Sequence, residues 1–224
     1  MLAVLYDVHG NLPALEAVLD DALAAGADRF ILGGDYCVWG PWPKETLERL
    51  QSLAEASWIR GNSDRALLGE DDLFGPDGAY TFTRNALPRE QMEWLHALPE
   101  RVSFGGELFC HASPLSDEET FGREPGPGDE RLLAGEHRRL IVFGHSHVQF
   151  RRPGPAQTVL VNPGSVGIPL DGDRRAAWAL RSPDGEIELR RTEYDAGPVI
   201  ARLREIGTEW AEFAARQLES ADRG

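Results

Sequence analysis

His145 and His147 stand one residue apart in the segment VFGHSHVQF (142–150), in a chain with six histidines. Side chains two positions apart on an extended strand share a face. A Gly-His-Ser-His turn at a strand end therefore aims both imidazoles at one point, and a metal ion is the usual reason to do so. The same punctuation recurs. DVHGN (7–11), GGD (33–35), RGNSD (60–64) and CHASP (110–114) each follow an apolar run. Singly, each fragment has a plain structural explanation. Asp7 and His9 suit a capped turn, Gly61-Asn62 is a turn dipeptide, and a lone His111 is most often a hydrogen-bonded core side chain. Five strand ends in order, each carrying Asp, His or Asn, point instead to a metal site. In open α/β sheets such a site lies beyond the carboxyl ends of the strands.

Strands must carry these residues. LAVLYD (2–7), RFILGG (29–34) and ASWIRG (56–61) read as buried strands. Between them run two amphipathic helices. In the first, Leu15, Val18, Leu19, Ala22 and Leu23 repeat at core-facing spacing, Asn11 is placed to cap, Pro13 falls in the first turn and Gly26 marks the stop. The second covers 43–54, with Leu47, Leu50 and Leu53 or Ala54 inward. The βαβαβ order argues for an α/β fold with parallel pairing at its start. Segment 70–100 reads as an elaboration between core strands. It opens with the acidic, turn-rich GEDDLFGPDG and ends in a short helix over 88–99 that buries Met92 and Leu95, with Trp94 a further candidate. RVSF and ELFCHAS resemble strands around a Gly-Gly turn, and 116–130 reads as a mobile loop of acids, Gly and Pro. Strands over 139–144, 158–162, 176–182 and 186–194 follow, the last two around a Pro-Asp-Gly hairpin turn. A helix over 198–218 closes the chain, with Gly207 a candidate break. Residues 1–224 are read as one domain.

The composition narrows the partners. Hydrophobic residues make up 42% and charged residues 27%, both close to globular averages. Against 23 Lys and Arg stand 37 Asp and Glu, a formal net charge of −14. Such a chain has no footprint for nucleic acid or for anionic lipid. The arginine pairs at 138–139, 151–152, 174–175 and 190–191 are scattered and read as solvated faces. Two cysteines, Cys37 and Cys110, form no CxxC motif and fit the reduced thiols of a cytoplasmic protein. MLAVLYDVHG lacks the basic start of a secretory signal, and no apolar run approaches the ~18 residues of a membrane span.

The five fragments together resemble the calcineurin-like metallophosphoesterase superfamily, whose ordered blocks are D-x-H, G-D, G-N-H-D, an isolated His and G-H-x-H. The nearer likeness is to its small bacterial and archaeal phosphodiesterases. NPGSVG (162–167) is similar to the loop that follows their last metal motif. The resemblance covers residues 2 to about 195. It implies a four-layer α-β-β-α sandwich of two mixed sheets, with the site on loops at one edge. It implies that Asp7, His9 and His147 hold one metal, that Asn62, His111 and His145 hold a second, and that Asp35 bridges both. Mixed nitrogen and oxygen donors suit Mn, Fe, Ni, Co or Zn. A pair of such ions about 3.5–4 Å apart would clamp a phosphoester, and a shared hydroxide would attack phosphorus.

One position departs from the pattern. Ser63 stands where the family has a histidine that protonates the leaving group, steered by the residue matching Asp64. A serine hydroxyl is no acid near pH 7, and general acid help is worth roughly 10²–10⁴-fold. Asn62, Ser63 and Asp64 are therefore the catalytic segment in which leaving-group help is weakened; either substrates with good leaving groups or a proton from another group near the cleft is expected. Asp64 is left to pair with Arg65 or to cap a turn. Tyr36 and Trp39 form an aromatic wall for a substrate, or else pack beneath the loop, and Arg65 is a phosphate-contacting candidate along with Arg60 and Arg123. Asn162 and Ser165 either orient a ligand histidine or belong to a plain turn. The expected reaction is hydrolysis of a small phosphoester, most readily a diester. A phosphomonoesterase or nucleotidase is the near alternative, and a catalytically weak metal-binding scaffold the distant one. Segment 70–100 or the C-terminal helix offers a surface for a homo-oligomer.

Overall fold

Alternation along the first strand sets the layers of the molecule. The computed structural model describes residues 1–70 and 72–222. In β1 (Leu2–Leu5) and the residue after it, Leu2, Val4 and Tyr6 face one core while Ala3 and Leu5 face another. β1 pairs in parallel with β2 (Arg29–Leu32), and β2 with β3 (Ala56–Trp58). The antiparallel hairpin of β9 (Ala176–Arg181) and β10 (Ile187–Thr192) adds to the other side of β1. The first sheet therefore runs β10-β9-β1-β2-β3. The second runs β4-β5-β6-β8-β7, from β4 (Arg101–Phe104), β5 (Glu107–Cys110), β6 (Leu140–Val142), β7 (Phe150–Pro153) and β8 (Val159–Asn162). Its central strands β5, β6 and β8 are parallel, and its edges β4 and β7 antiparallel.

The sheets pack face to face through Val4, Tyr6, Ile31, Phe109, Val142 and Val161. Outside the first sheet lie α1 (Leu12–Ala24) and α2 (Pro43–Gln51), with α4 (Ala79–Ala86), α5 (Arg89–His96), α7 (Gly197–Ile206) and α8 (Glu209–Ser220) packed on the same core. The Asn11 side chain accepts from the Ala14 N–H at 3.2 Å, which caps α1 as expected. The outer face of the second sheet has a thinner cover. It consists of the segment leading to the single turn of α6 (Asp129–Leu132), which buries Phe121, Leu132 and Leu133 on Leu108, Ile141 and Phe143.

Several local expectations change. The C-terminal helix expected over 198–218 is two helices. Gly207 takes the left-handed conformation (φ 72°) that ends α7. The elaboration holds an additional helix, α4, whose YTFT run carries strand-like residues. Within α5, Leu95 is buried, whereas Trp94 is 36% exposed and packs edge-on against Trp58. β7 is short, ends in proline and lies at an edge, where a missing N–H costs no ladder bond. Among the described residues, no helix is long and apolar enough to cross a membrane.

A buried ion pair ties the two sheets together. The Arg181 Nε–H of β9 donates to Glu107 Oε2 of β5 at 2.6 Å, with both side chains about one-tenth exposed. Glu107→Ala would strand the guanidinium, and removing one partner of such a pair costs about 3–5 kcal/mol. We expect a loss in that range in urea denaturation, largely recovered when Arg181→Met is added.

Candidate metal centre

The strand ends meet at one edge of the sandwich through a special backbone. Asp7 (φ 54°), His9 (50°), Asp35 (59°), His145 (65°) and His147 (59°) all adopt the left-handed region. Non-glycine residues pay roughly 1–3 kcal/mol each for sparsely populated conformations, which cluster at functional sites. Five of the eleven such residues among the described ones fall in this one set, so the turns are built to aim these side chains. Glycine provides the closeness. A Cβ at Gly61 would lie 2.1 Å from Asp35 Oδ1, and one at Gly144 would lie 2.5 Å from Asp7 Oδ2.

Seven side chains converge. His9 Nε2 lies 3.0 Å from His147 Nε2, and the two lie 3.9 and 3.6 Å from Asp7 Oδ1. His111 Nε2 lies 4.0 Å from the same Asp7 oxygen and 3.6 Å from Asp35 Oδ1. Asp35 Oδ2 faces His9 at 3.8 Å, so this carboxylate reaches both sides of the cluster. Asn62 Oδ1 lies 3.0 Å from both His111 Nε2 and His145 Nδ1. Two compact triads result, Asp7-His9-His147 and Asp7-Asp35-His111. Asp7 thus stands between both groups, not in one alone.

The outer contacts decide which atoms are free to bind a cation. His9, His111 and His147 direct Nδ1 at the carbonyls of Val38 (2.8 Å), Gly33 (2.9 Å) and Ile168 (2.7 Å). A carbonyl only accepts, so Nδ1 carries the hydrogen and, in the neutral ring, Nε2 keeps its lone pair. The Nε2 atoms of His9 and His147 then face each other as two acceptors. Asp7 Oδ1, fully buried beside them, has no hydrogen-bond partner. Facing lone pairs and an orphaned buried carboxylate oxygen fit a divalent cation. Burial first, then His147, pushes the His9 pKa down to about 4, so its lone pair is available at neutral pH. Burial would raise the Asp7 pKa, but His147, His111 and His9 outweigh it and hold the carboxyl well below the usual range.

Further residues hold the ligands. Asp64 is wholly buried and accepts from the backbone N–H groups of Asp35 (2.8 Å), Tyr36 (3.2 Å) and Gly61 (2.8 Å). It pins the Asp35 turn to the Asn62 turn. Asn162 donates to the Gly144 carbonyl at 2.8 Å and to Ser146 Oγ at 3.0 Å. Ser165 donates to the Asp7 carbonyl at 2.7 Å and accepts from the Ile168 N–H at 2.8 Å. The NPGSVG loop therefore braces the His145-His147 turn, the His147 acceptor and the Asp7 backbone.

The remaining expected site residues sit elsewhere. Tyr36 is fully buried and its hydroxyl is held between the carbonyls of Leu32 and Ile59, so it walls no substrate. Trp39 packs against Phe74, Trp210 and Phe213 rather than over the centre. Ser63 is 1% exposed and its hydroxyl has no partner; its backbone N–H, not its side chain, serves the centre by donating to Asp35 Oδ1 at 2.9 Å. Asp64 touches backbone rather than a neighbouring side-chain acid, and it does not pair with Arg65. Arg65 is bound by Asp117 and Glu118. The carbonyls of Gly33, Val38 and Ile168 escape sequence reading, because a backbone acceptor leaves no residue-type signal.

Residues 1–181 match the calcineurin-like phosphoesterase superfamily domain. An uncharacterised protein of Methanocaldococcus jannaschii is 32% identical over 218 residues, 87% of this chain and 88% of its own. Phosphodiesterase YfcE of Escherichia coli K12 is 29% identical over 176 residues, covering 75% of this chain and 79% of the relative. A metallophosphoesterase structure from Sphaerobacter thermophilus superposes with a TM-score of 0.83 at 29% identity, covering 98% of each chain. The ordered ligand blocks, the paired mixed sheets and the matched span agree: the chain belongs to the calcineurin-like phosphoesterase superfamily.

Proposed function

We propose that the protein is a metal-dependent phosphodiesterase acting on a small phosphoester through two divalent transition-metal ions. The observation that carries this is the 3.0 Å approach of the His9 and His147 Nε2 atoms beside the unpartnered Asp7 Oδ1. Imidazole nitrogen with carboxylate and amide oxygen suits Mn, Fe, Ni, Co or Zn. When bound, such ions neutralise phosphate oxygens and make a shared water acidic enough to attack phosphorus near neutral pH. His9, His147, Asn62, His111 and His145 would hold the ions, with Asp7 and Asp35 lying between the two groups. A relative of 29% identity that bears the name phosphodiesterase favours the diester reading.

The chain's own residues set the limits of the reaction. Val38, Gly33 and Ile168 fix three imidazole tautomers before any ligand arrives. Asp64 holds two ligand turns in register. Burial first, then the Asp35 carboxylate, raises its pKa to about 7, although three backbone donors favour the ionised form. No side chain at position 63 offers a proton to the departing oxygen, because Ser63 is enclosed. The leaving group must therefore depart largely unaided.

Three outcomes are expected. Protein loaded with Mn²⁺ should release p-nitrophenolate from bis-p-nitrophenyl phosphate faster than from p-nitrophenyl phosphate, and a chelator should abolish both. The reverse preference would mark a monoesterase, and no turnover with metal bound would mark a scaffold. Asp64→Asn replaces one acceptor with a donor among three N–H groups. It should weaken metal affinity about 10–100-fold, read by equilibrium metal titration. Across aryl methyl phosphates of rising phenol pKa, kcat should fall steeply, by at least about 10² over the series. A flat dependence would show that another group donates the proton.

A further inference from the structure

Beside the centre, on the His111 side, lies a cavity of about 230 Å³ that the metal-ligand geometry does not use. Arg60, Arg65 and Arg101 line it together with Ser113. Two of these arginines bracket Asn62 in the sequence, at positions 60 and 65 of RGNSDR. In a chain of net charge −14, three guanidinium groups around one small space call for a reason.

Counter-charges are present, but they do not use every guanidinium donor. Arg60 gives Nη1–H to the His96 carbonyl (2.9 Å) and Nη2–H to Glu100 (2.7 Å), while its buried Nε–H has no partner. Arg65 uses Nε and Nη2 on Asp117 and Glu118, and among the described residues no bond engages its Nη1. Arg101, the exposed first residue of β4, has no carboxylate within ion-pair distance among the described residues. Glu100 and Asp117 also line the space and Glu118 reaches Arg65 from its rim, so three guanidinium groups meet three carboxylates there. The charges balance, but the carboxylates crowd onto Arg60 and Arg65 and leave Arg101 unpaired among the described residues, with the Arg60 Nε–H also unused. Planar guanidinium forks match oxyanions, and a buried donor without a partner is costly. The size restricts the guest, because pockets for drug-sized ligands run about 300–1,000 Å³. A single oxyanion group is of a size with this space.

We propose that this cavity is a second anion subsite, which receives a phosphate or carboxylate on one arm of the phosphoester while His111 and its partners hold the reacting phosphorus. The assignment deepens the phosphoesterase reading and rests on it. The substrate class is then a small phosphoester bearing a further acidic group, and Arg101 is its specificity-determining residue.

The test uses the full chain. Protein stripped of metal is titrated calorimetrically with inorganic phosphate and with acetate, beside Arg101→Gln. Loss of a charge-assisted contact should weaken binding about tenfold in the variant. Tighter phosphate than acetate assigns a phosphate arm, and the reverse a carboxylate arm; either supports the subsite. No binding by the unsubstituted chain, or equal binding by both proteins, overturns it. The same preparation, reloaded with Mn²⁺ and given ethyl p-nitrophenyl phosphate, reports the reaction separately. Turnover without anion binding removes the subsite alone, and anion binding without turnover removes the phosphoesterase reading alone.

Discussion

Like atoms forced together are the constraint on which this molecule turns. Two imidazole nitrogens with lone pairs face each other at 3.0 Å, and a buried carboxylate oxygen beside them has no donor. In water each would be solvated; in a sandwich edge each is stranded unless a cation stands among them. The surrounding fold makes that arrangement unavoidable. Three backbone carbonyls take the Nδ1 hydrogens, so the rings cannot turn their N–H groups on one another.

The cost of holding such a cluster is distributed through the backbone. Asp7, His9, Asp35, His145 and His147 sit in a conformation that ordinary residues avoid. Asp64, Asn162 and Ser165 over-determine those turns with buried hydrogen bonds to neighbouring backbone groups. Parallel strands make this economical. Their carboxyl ends lie side by side, so β1, β2, β5 and β6 deliver Asp7, Asp35, His111 and His145 to one edge without long loops.

Much of this was legible in the chain itself. Apolar runs of β1, β2 and β6 ending in Asp or His gave both the strands and the ligands. The α1 cap was visible because Asn11 precedes an amphipathic repeat and Pro13. Other features carry no comparable signal. α4 is built from Tyr, Thr and Phe, whose propensity favours strands, and tertiary packing of Ala79 and Thr83 overrides it. Tyr36 looked like a binding aromatic because it follows Asp35, yet the strand-end turn drives it inward, where two carbonyls satisfy its hydroxyl. Arg101 was invisible as a site residue since only the β4–β5 hairpin brings it next to His111. Ser63 was recognisable as a departure, but its enclosure depends on how α3 (Asn62–Ala66) lies against the Asp35 turn.

The charge distribution orders the events at the site. The protein is strongly acidic, and the centre itself contributes the buried carboxylates Asp7 and Asp35. A phosphoester approaching the metal-free cluster meets negative charge at both long and short range. On the proposed reading cations would bind before the anion, and the acidic surface that repels an anion favours their arrival. With cations bound, the unused donors of Arg60 and Arg101 would offer the anion a second contact on the His111 side. Selection would then fall on molecules whose second acidic group reaches those donors, and not on anions in general.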